Sequence, residues 1–406
     1  MKRHISDFAF FGGAPAFSKP LVVGRPNLGE PKTFMAQAEA IMRSGILSNH
    51  GPTVRAFEEV LAQRTGVLHC IATCNATVAL EVVVRAMDLC GEVIVPSFTF
   101  IATAHALRRA GVTPVFCDVD PVTHCLDPRH VEALITARTS GVLAVNLWGQ
   151  ACAIDELTQL CQRRGIRLLF DSAHAFGCSF RGTPLGGFGD AEVFSFHATK
   201  VLNTGEGGCI MTRNDELAAR CARMINFGLE DGDTVAALGT NGKMQELAAA
   251  LGLTNLERYD DFVAANRAND EAYHRCLNST RGVRLLTRDP ANESNLHYVV
   301  LEFEEDEIGA SRDEIMRVLA SENIRSRRYF FPGCHAAEPY RSDRRMPRPL
   351  VPNTERLARN VLVMPTGMAA SVADVETACD ALRFLVENGA ELRARLEKAS
   401  VIKPAL

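Results

Sequence analysis

The stretch AEVFSFHATKVLNTGEGG, residues 191–208, sets a short apolar run against one lysine and a cluster of small residues. Residues 191–196 read as a buried strand, and Thr204, Gly205, Glu206, Gly207 and Gly208 as a tight loop. Lys200 falls between them. A strand that ends just before a lysine brings it to the edge of a sheet. Apolar or cationic surroundings there loosen its proton and let the amine attack a carbonyl. A lone lysine is most often a solvated surface charge, so the rest of the chain must decide between the two readings.

Working outward, the pattern of 191–196 repeats. Strand candidates at 70–73, 92–96, 113–118, 141–148 and 166–171 alternate with amphipathic stretches at 54–64, 77–88, 99–110 and 155–164. This alternation predicts an α/β fold, a mainly parallel sheet wrapped by helices, with ligands at the carboxyl ends of its strands. From about residue 240 the pattern changes to a long helical stretch, residues 241–277, that leads into an α+β unit. In that unit strands are expected at 297–303 and 324–330, and helices near 311–322, 354–361 and 372–388. The expected division is a large domain over 1–260 and a small C-terminal domain over 261–406.

Composition narrows the class. With 406 residues, 47% hydrophobic and 23% charged, the chain is globular and long enough for two domains. Its net charge is −4, and arginines gather only around 325–328 and 341–348, too locally for a nucleic-acid surface. Arg325, Arg327 and Arg328 could instead meet a small anion, a diphosphate or a carboxylate, although alternate positions on a strand place some of them in solvent. Thirteen cysteines are scattered through apolar runs with no Cys-x-x-Cys pair, as reduced core thiols are. The first residues carry Asp7 and Gly12–Gly13 where a signal peptide needs an unbroken apolar run, and no span approaches membrane length. A cytoplasmic protein with no membrane, nucleic-acid or metal partner is expected.

Three further motifs belong with Lys200. FDSAHAFG, residues 170–177, ends a strand at Asp171, where a carboxylate can either cap a helix or hold a protonated pyridine nitrogen. Asn75, Ala76 and Thr77 lie at a strand-to-helix junction, which is either ordinary capping by Asn75 or a phosphate cradle of free N–H groups. Phe100, opening the next helix, is either core or a ring that lies flat on another ring. Add Ser195 as a phosphate ligand beside Lys200, and the set describes a site for pyridoxal 5′-phosphate.

FDSAHAFG, FSFHATKVLNTGEGG (194–208) and NGKMQELAAALGL (241–253) together resemble the DegT/DnrJ/EryC1/StrS family of sugar-nucleotide aminotransferases, over about residues 10–390. Within it the opening DFAFFGGAPAFSKPLVVGRPN, the SNHGPTVRAFEE stretch, VNLWGQ and YFFPGCHAAEPYR are similar to the dTDP-4-keto-6-deoxy-D-glucose 4-aminotransferases. The resemblance implies an aspartate-aminotransferase-like fold (fold type I), a homodimer with shared sites, and amino transfer from L-glutamate to C4 of the nucleotide-linked keto sugar. An amine at C3, or an axial one at C4, is the alternative. Carried over by position, Lys200 would bond the cofactor and shuttle protons, Asp171 would pair with the pyridine nitrogen, and Phe100 would stack on the ring. His174 would lie near the 3-hydroxyl, and Ala76, Thr77 and Ser195 would hold the phosphate. Asn241 would reach that phosphate from the neighbouring subunit. HATK in place of the commoner HPTK, and Asn146 where many members carry His, are departures that remove no group the chemistry requires. Lys200 argues against the dehydrases of the same fold, which have histidine there, and no DNA-binding module supports a regulator. His197 is expected to be structural or to line the substrate, while Trp148 could wall the pocket or fill the core.

Overall fold

The computed structural model describes residues 2–230, 232–346 and 348–402. Seven strands form the large sheet: β1 His69–Thr73, β2 Glu92–Pro96, β3 Thr113–Cys117, β4 Thr139–Val145, β5 Arg167–Asp171, β6 Ala191–Ser195 and β7 Gly208–Thr212. Their order is β1-β7-β6-β5-β4-β2-β3, parallel except for β7, which runs against both neighbours. The strands read as continuous apolar runs because both faces are covered. Ile94, Leu168, Phe170 and Phe194 enter one core, while Val93, Val95, Leu169 and Val193 enter the other.

A second assembly lies C-terminal to it. Strands β8 Val283–Leu285, β9 Val299–Phe303 and β10 Val361–Met364 make an antiparallel sheet in the order β8-β9-β10. Helices Arg312–Ser321 and Val372–Glu387 pack on it. Ile5, Phe8 and Leu21 join this core, so the start of the chain is folded into the unit that ends it.

Three expectations are corrected. The stretch 241–277 is two helices, Glu246–Leu256 and Tyr259–Leu277. Residues 241–243 are extended instead, with Asn241 bridged to Asn226 and Lys243 to Thr73. The second helix begins at Tyr259, buried and bonded through its hydroxyl to the Phe176 carbonyl at 2.7 Å. The strand expected over 324–330 shrinks to Ile324–Arg325, paired with Leu21–Val22, because the chain then changes partners and Arg327 bridges Val363. Residues 361–364, partly read as helix, are the strand β10, because a four-residue apolar run next to a helix has no period of its own. Among the described residues no helix is long and apolar enough to cross a membrane. Each of the thirteen cysteines is a free thiol.

Candidate active site

The register of β7 builds the site. Because β7 runs backwards, its first residue, Gly208, lies at the carboxyl edge of the sheet, paired with Thr73 of β1 and Ser195 of β6. A Cβ at Gly208 would stand 2.6 Å from the Ala76 nitrogen and 2.8 Å from the Phe194 carbonyl oxygen. Only glycine lets the helix Ala76–Ala86 start so close to the strand. The space that glycine keeps free at Gly208 is thus taken by the protein's own backbone. Asn75 caps this helix by accepting from Val78 N–H at 2.9 Å, which leaves the N–H groups of Ala76 and Thr77 without an intrahelical acceptor. They open at the edge where Ser195 ends β6.

The loop that carries Lys200 is closed by backbone bonds. Phe196 N–H donates to Gly207 O at 2.8 Å, Ala198 N–H to Gly205 O at 2.7 Å and Thr204 N–H to Phe196 O at 2.9 Å. Asn27 and Asn203 brace it from outside, the Asn27 amide donating to Val201 O and the Asn203 amide to Asn27 O. Lys200 therefore sits on a rigid hairpin, with its Nζ donating to the Tyr298 hydroxyl at 3.3 Å. The side chain keeps some solvent access, yet protein atoms crowd the amine. That crowding pulls its pKa down from 10.5 to about 8, against the opposing pull of the Asp171 carboxylate.

Asp171, at the end of β5, is buried and accepts only from neutral donors: Thr103 Oγ at 2.8 Å and Ala173 N–H at 3.1 Å. Burial pushes its carboxyl pKa up; these two bonds and the Lys200 charge pull the other way. Thr103 belongs to the helix Ile101–Arg109, whose N-cap is Phe100. One helix thus presents both the aspartate's partner and an aromatic ring that is 55% exposed, unusual for a phenylalanine at the rim of a buried sheet.

His174 is buried, and its Nδ1 accepts the Trp148 N–H at 3.4 Å. Burial, with Lys200 and His297 nearby, holds its pKa well below the usual value, so the ring is neutral with its proton on Nε2. Trp148 fills the core: it is fully buried, stacked on Phe330 at 5.2 Å, with its indole N–H bonded to His124 at 3.1 Å. His197 is exposed and bonded to Thr199 at 2.9 Å. Arg328 pairs with Asp313 at 3.0 Å, whereas Arg325 and Arg327 are exposed and, among the described residues, have no ion pair within 4.0 Å.

The structure gathers Lys200, Asp171 and His174 in one place, with Ala76, Thr77, Phe100 and Ser195 along the same edge of the sheet. Asn241 stands apart, exposed on a segment paired to Asn226. Sequence reasoning missed four residues. Thr103 could have been found as the third residue past Phe100 on the same helix. Tyr298 and His297 lead into β9, and the polar pair HY before an apolar run was the signal available. Asn295, which holds the His174 carbonyl at 2.9 Å and accepts the His297 N–H at 3.1 Å, leaves no mark in the sequence.

Comparison with known proteins places this geometry. The sequence pattern of the DegT/DnrJ/EryC1/StrS aminotransferase family matches residues 30–383. The dTDP-4-amino-4,6-dideoxy-D-glucose transaminase of Shigella dysenteriae is 33% identical over 375 residues, 92% of this chain and 100% of that protein. The GDP-perosamine synthase of Caulobacter vibrioides is 35% identical, over 72% of this chain and 80% of that one. Among solved structures, DesI in the presence of its TDP-sugar product superposes with a TM-score of 0.93 at 47% identity, covering 97% of this chain and 100% of that chain.

Proposed function

Because the chain belongs to the DegT/DnrJ/EryC1/StrS family of pyridoxal phosphate-dependent sugar aminotransferases, we propose that it moves the amino group of L-glutamate to C4 of dTDP-4-keto-6-deoxy-D-glucose. The products are dTDP-4-amino-4,6-dideoxy-D-glucose and 2-oxoglutarate. The observation that carries amino transfer is the Lys200 amine, at about 8, facing a buried aspartate from the next strand of one sheet edge. The choice of sugar is supported by the likeness to DesI and to the Shigella enzyme over nearly the whole chain.

The residues suit the cofactor. Asp171 is a buried carboxylate with no cationic hydrogen-bond partner, which is what a protonated ring nitrogen requires. The N–H groups of Ala76 and Thr77 suit a phosphate, the open face of Phe100 suits a flat ring, and the Nε2–H of His174 suits a ring oxygen. Pyridoxal phosphate, when bound, carries the amino group between donor and acceptor and withdraws electrons from the reacting carbon. Asp171 holds the proton on the ring nitrogen, and Thr103 keeps its carboxylate turned towards that position. Lys200 Nζ takes the proton from the donor's α-carbon and returns one to the sugar carbon. Its lowered pKa leaves a useful share of free amine near neutrality. Tyr298 gives that amine a resting place whenever it is not bonded to cofactor.

The working unit in this reading is a homodimer, with Asn241 of each chain reaching the other's phosphate; its exposure on a backbone-tethered segment leaves it available for that contact. The test is a panel of nucleotide-linked 4-keto and 3-keto sugars with glutamate, the product analysed by NMR. An equatorial C4 amine is expected, and an axial C4 amine or a C3 amine overturns the assignment.

A further inference from the structure

We propose that His124 is a positioning residue for the cofactor site: it holds the Trp148 indole, and through Trp148 it sets the ring of His174 with the Nε2 proton towards the cofactor's ring oxygen. The inference rests on the reading above that His174 meets that oxygen, and adds the residue that aims it.

Three hydrogen bonds run from the C-terminal sheet to the site. His124 Nε2 lies 3.0 Å from a carboxylate oxygen of Glu302 on β9, and His124 Nδ1 lies 3.1 Å from the Trp148 indole nitrogen. The backbone N–H of Trp148 then donates to His174 Nδ1 at 3.4 Å. An indole nitrogen only donates, so His124 Nδ1 accepts and its proton sits on Nε2, where Glu302 receives it. Arg284 at 2.7 Å and Arg356 at 3.0 Å bind the other oxygen of Glu302, which fixes that end of the chain. At the far end the same logic leaves His174 Nδ1 without a proton and places one on Nε2. Among the described residues Nε2 has no hydrogen-bond partner, and it is not sealed from solvent. The His174 ring lies 4.4 Å, centroid to centroid, from Tyr298, whose hydroxyl receives the Lys200 amine.

The backbone shows that His124 does more than satisfy a buried indole. Trp148 is held at φ 60° and His124 at φ 61°, left-handed conformations that cost a non-glycine residue energy. The turn at Trp148 is pressed against the segment it serves. A Cβ on the next residue, Gly149, would stand 2.5 Å from Asn295 Oδ1 and 3.2 Å from the His174 carbonyl oxygen. Phe330 lies at 18° to both Trp148 and His174, stacked on each. A Trp148 relaxed to a right-handed turn would carry its N–H away from His174. The bond at 3.4 Å is already long, so a shift of about half an ångström breaks it. The indole resists that shift, because it is fully buried and its N–H would lose its acceptor if the ring moved. His124 thus converts an anchored carboxylate into the orientation of a ring near Lys200.

The test follows the bound cofactor's absorbance across pH, and the His174 ring in the apoprotein. A donor on the ring oxygen favours that oxygen's charged form, so losing the donor raises the midpoint of the titration. His174→Phe should raise it by about one pH unit, and His124→Phe by about half a unit. The double variant should shift no further than His174→Phe alone, since His124 acts through His174. His124→Gln, whose amide offers an acceptor to Trp148 and a donor to Glu302, should return most of the shift. In wild-type apoprotein with isotope-labelled histidine, the nitrogen NMR signal that His174→Phe removes should be that of the Nε2–H tautomer. That measurement stands if His124→Phe does not fold. An unmoved midpoint in His124→Phe, a double variant in which the two shifts add, a glutamine variant no better than phenylalanine, or an Nδ1–H tautomer overturns the proposal. If His174→Phe itself leaves the midpoint unmoved, His174 does not meet the ring oxygen, and that reading fails together with this inference. If His174→Phe moves it and His124→Phe does not, only this inference fails.

Discussion

Replacing Lys200 by methionine should stabilise the cofactor-free protein at neutral pH and leave it nearly unchanged at high pH. The amine titrates at about 8 in the fold, against 10.5 when free. That difference corresponds to about 3 kcal/mol of penalty for carrying the charge, and about 2 after allowing for the side chain's partial solvent access. The sign follows from proton counting. Below pH 8 folded and unfolded chains both carry the proton, so the penalty is fully present. Between 8 and 10.5 the unfolded chain binds more proton than the folded one, and stability rises with pH. Methionine keeps the stem's packing and removes the charge. Asp171 loses its nearby cation in the same step, and its carboxyl pKa rises further, which offsets part of the gain. Urea unfolding of both apoproteins should give a difference of about 2 kcal/mol at pH 7 that falls below about 1 kcal/mol at pH 10. A variant less stable than wild type at pH 7, or a gain independent of pH, would refute the claim that burial sets the lysine's proton affinity.

Asp171→Asn should keep the cofactor but slow α-proton removal from glutamate by several orders of magnitude, read by stopped-flow absorbance, because the ring nitrogen is no longer held protonated; a near-wild-type half-reaction removes the role. Gly208→Ala should cost about 1–3 kcal/mol in denaturant unfolding and weaken cofactor binding, since its methyl meets the Ala76 nitrogen at 2.6 Å; unchanged cofactor affinity would separate Gly208 from the phosphate cradle. Asn241→Ala should cost about 1–3 kcal/mol of cofactor affinity, and wild-type holoprotein should be more dimeric than apoprotein in sedimentation velocity. If neither effect appears, the shared site is wrong while amino transfer stands.

What the sequence discloses depends on how local the cause is. β1 to β6 are legible because most of their residues are buried and apolar, and Lys200 and Asp171 are legible because strand ends are where a parallel sheet presents chemistry. The antiparallel course of β7 is not legible from its own residues; it follows from its register with Thr73 and Ser195, 135 positions back in one case and 13 in the other. The same holds for the bonds that tune the site. Thr103 meets Asp171 across 68 residues, and Lys200 meets Tyr298 across 98. A hydroxyl in a helix and a tyrosine before a strand look alike whether they support a catalytic group or only fill space. Trp148 shows the converse: a lone tryptophan drew notice and proved to be core, its N–H spent on His124.

The unmet needs around Lys200 share a direction. Asp171 is buried with neutral donors only, Phe100 offers a bare face, and the N–H pair of Ala76 and Thr77 lacks acceptors within its helix. Each is unfavourable for a chain meant to be stable alone, and they sit together at one sheet edge. Around them the framework is held by the Phe196–Gly207 hairpin, the Asn27–Asn203 brace and the Asn295 tie. Unsatisfied groups on a satisfied frame are preorganised: the cost of placing them is met during folding, so binding can release it. One cationic ring nitrogen, one flat ring and one phosphate would satisfy the whole set, and the cofactor supplies all three.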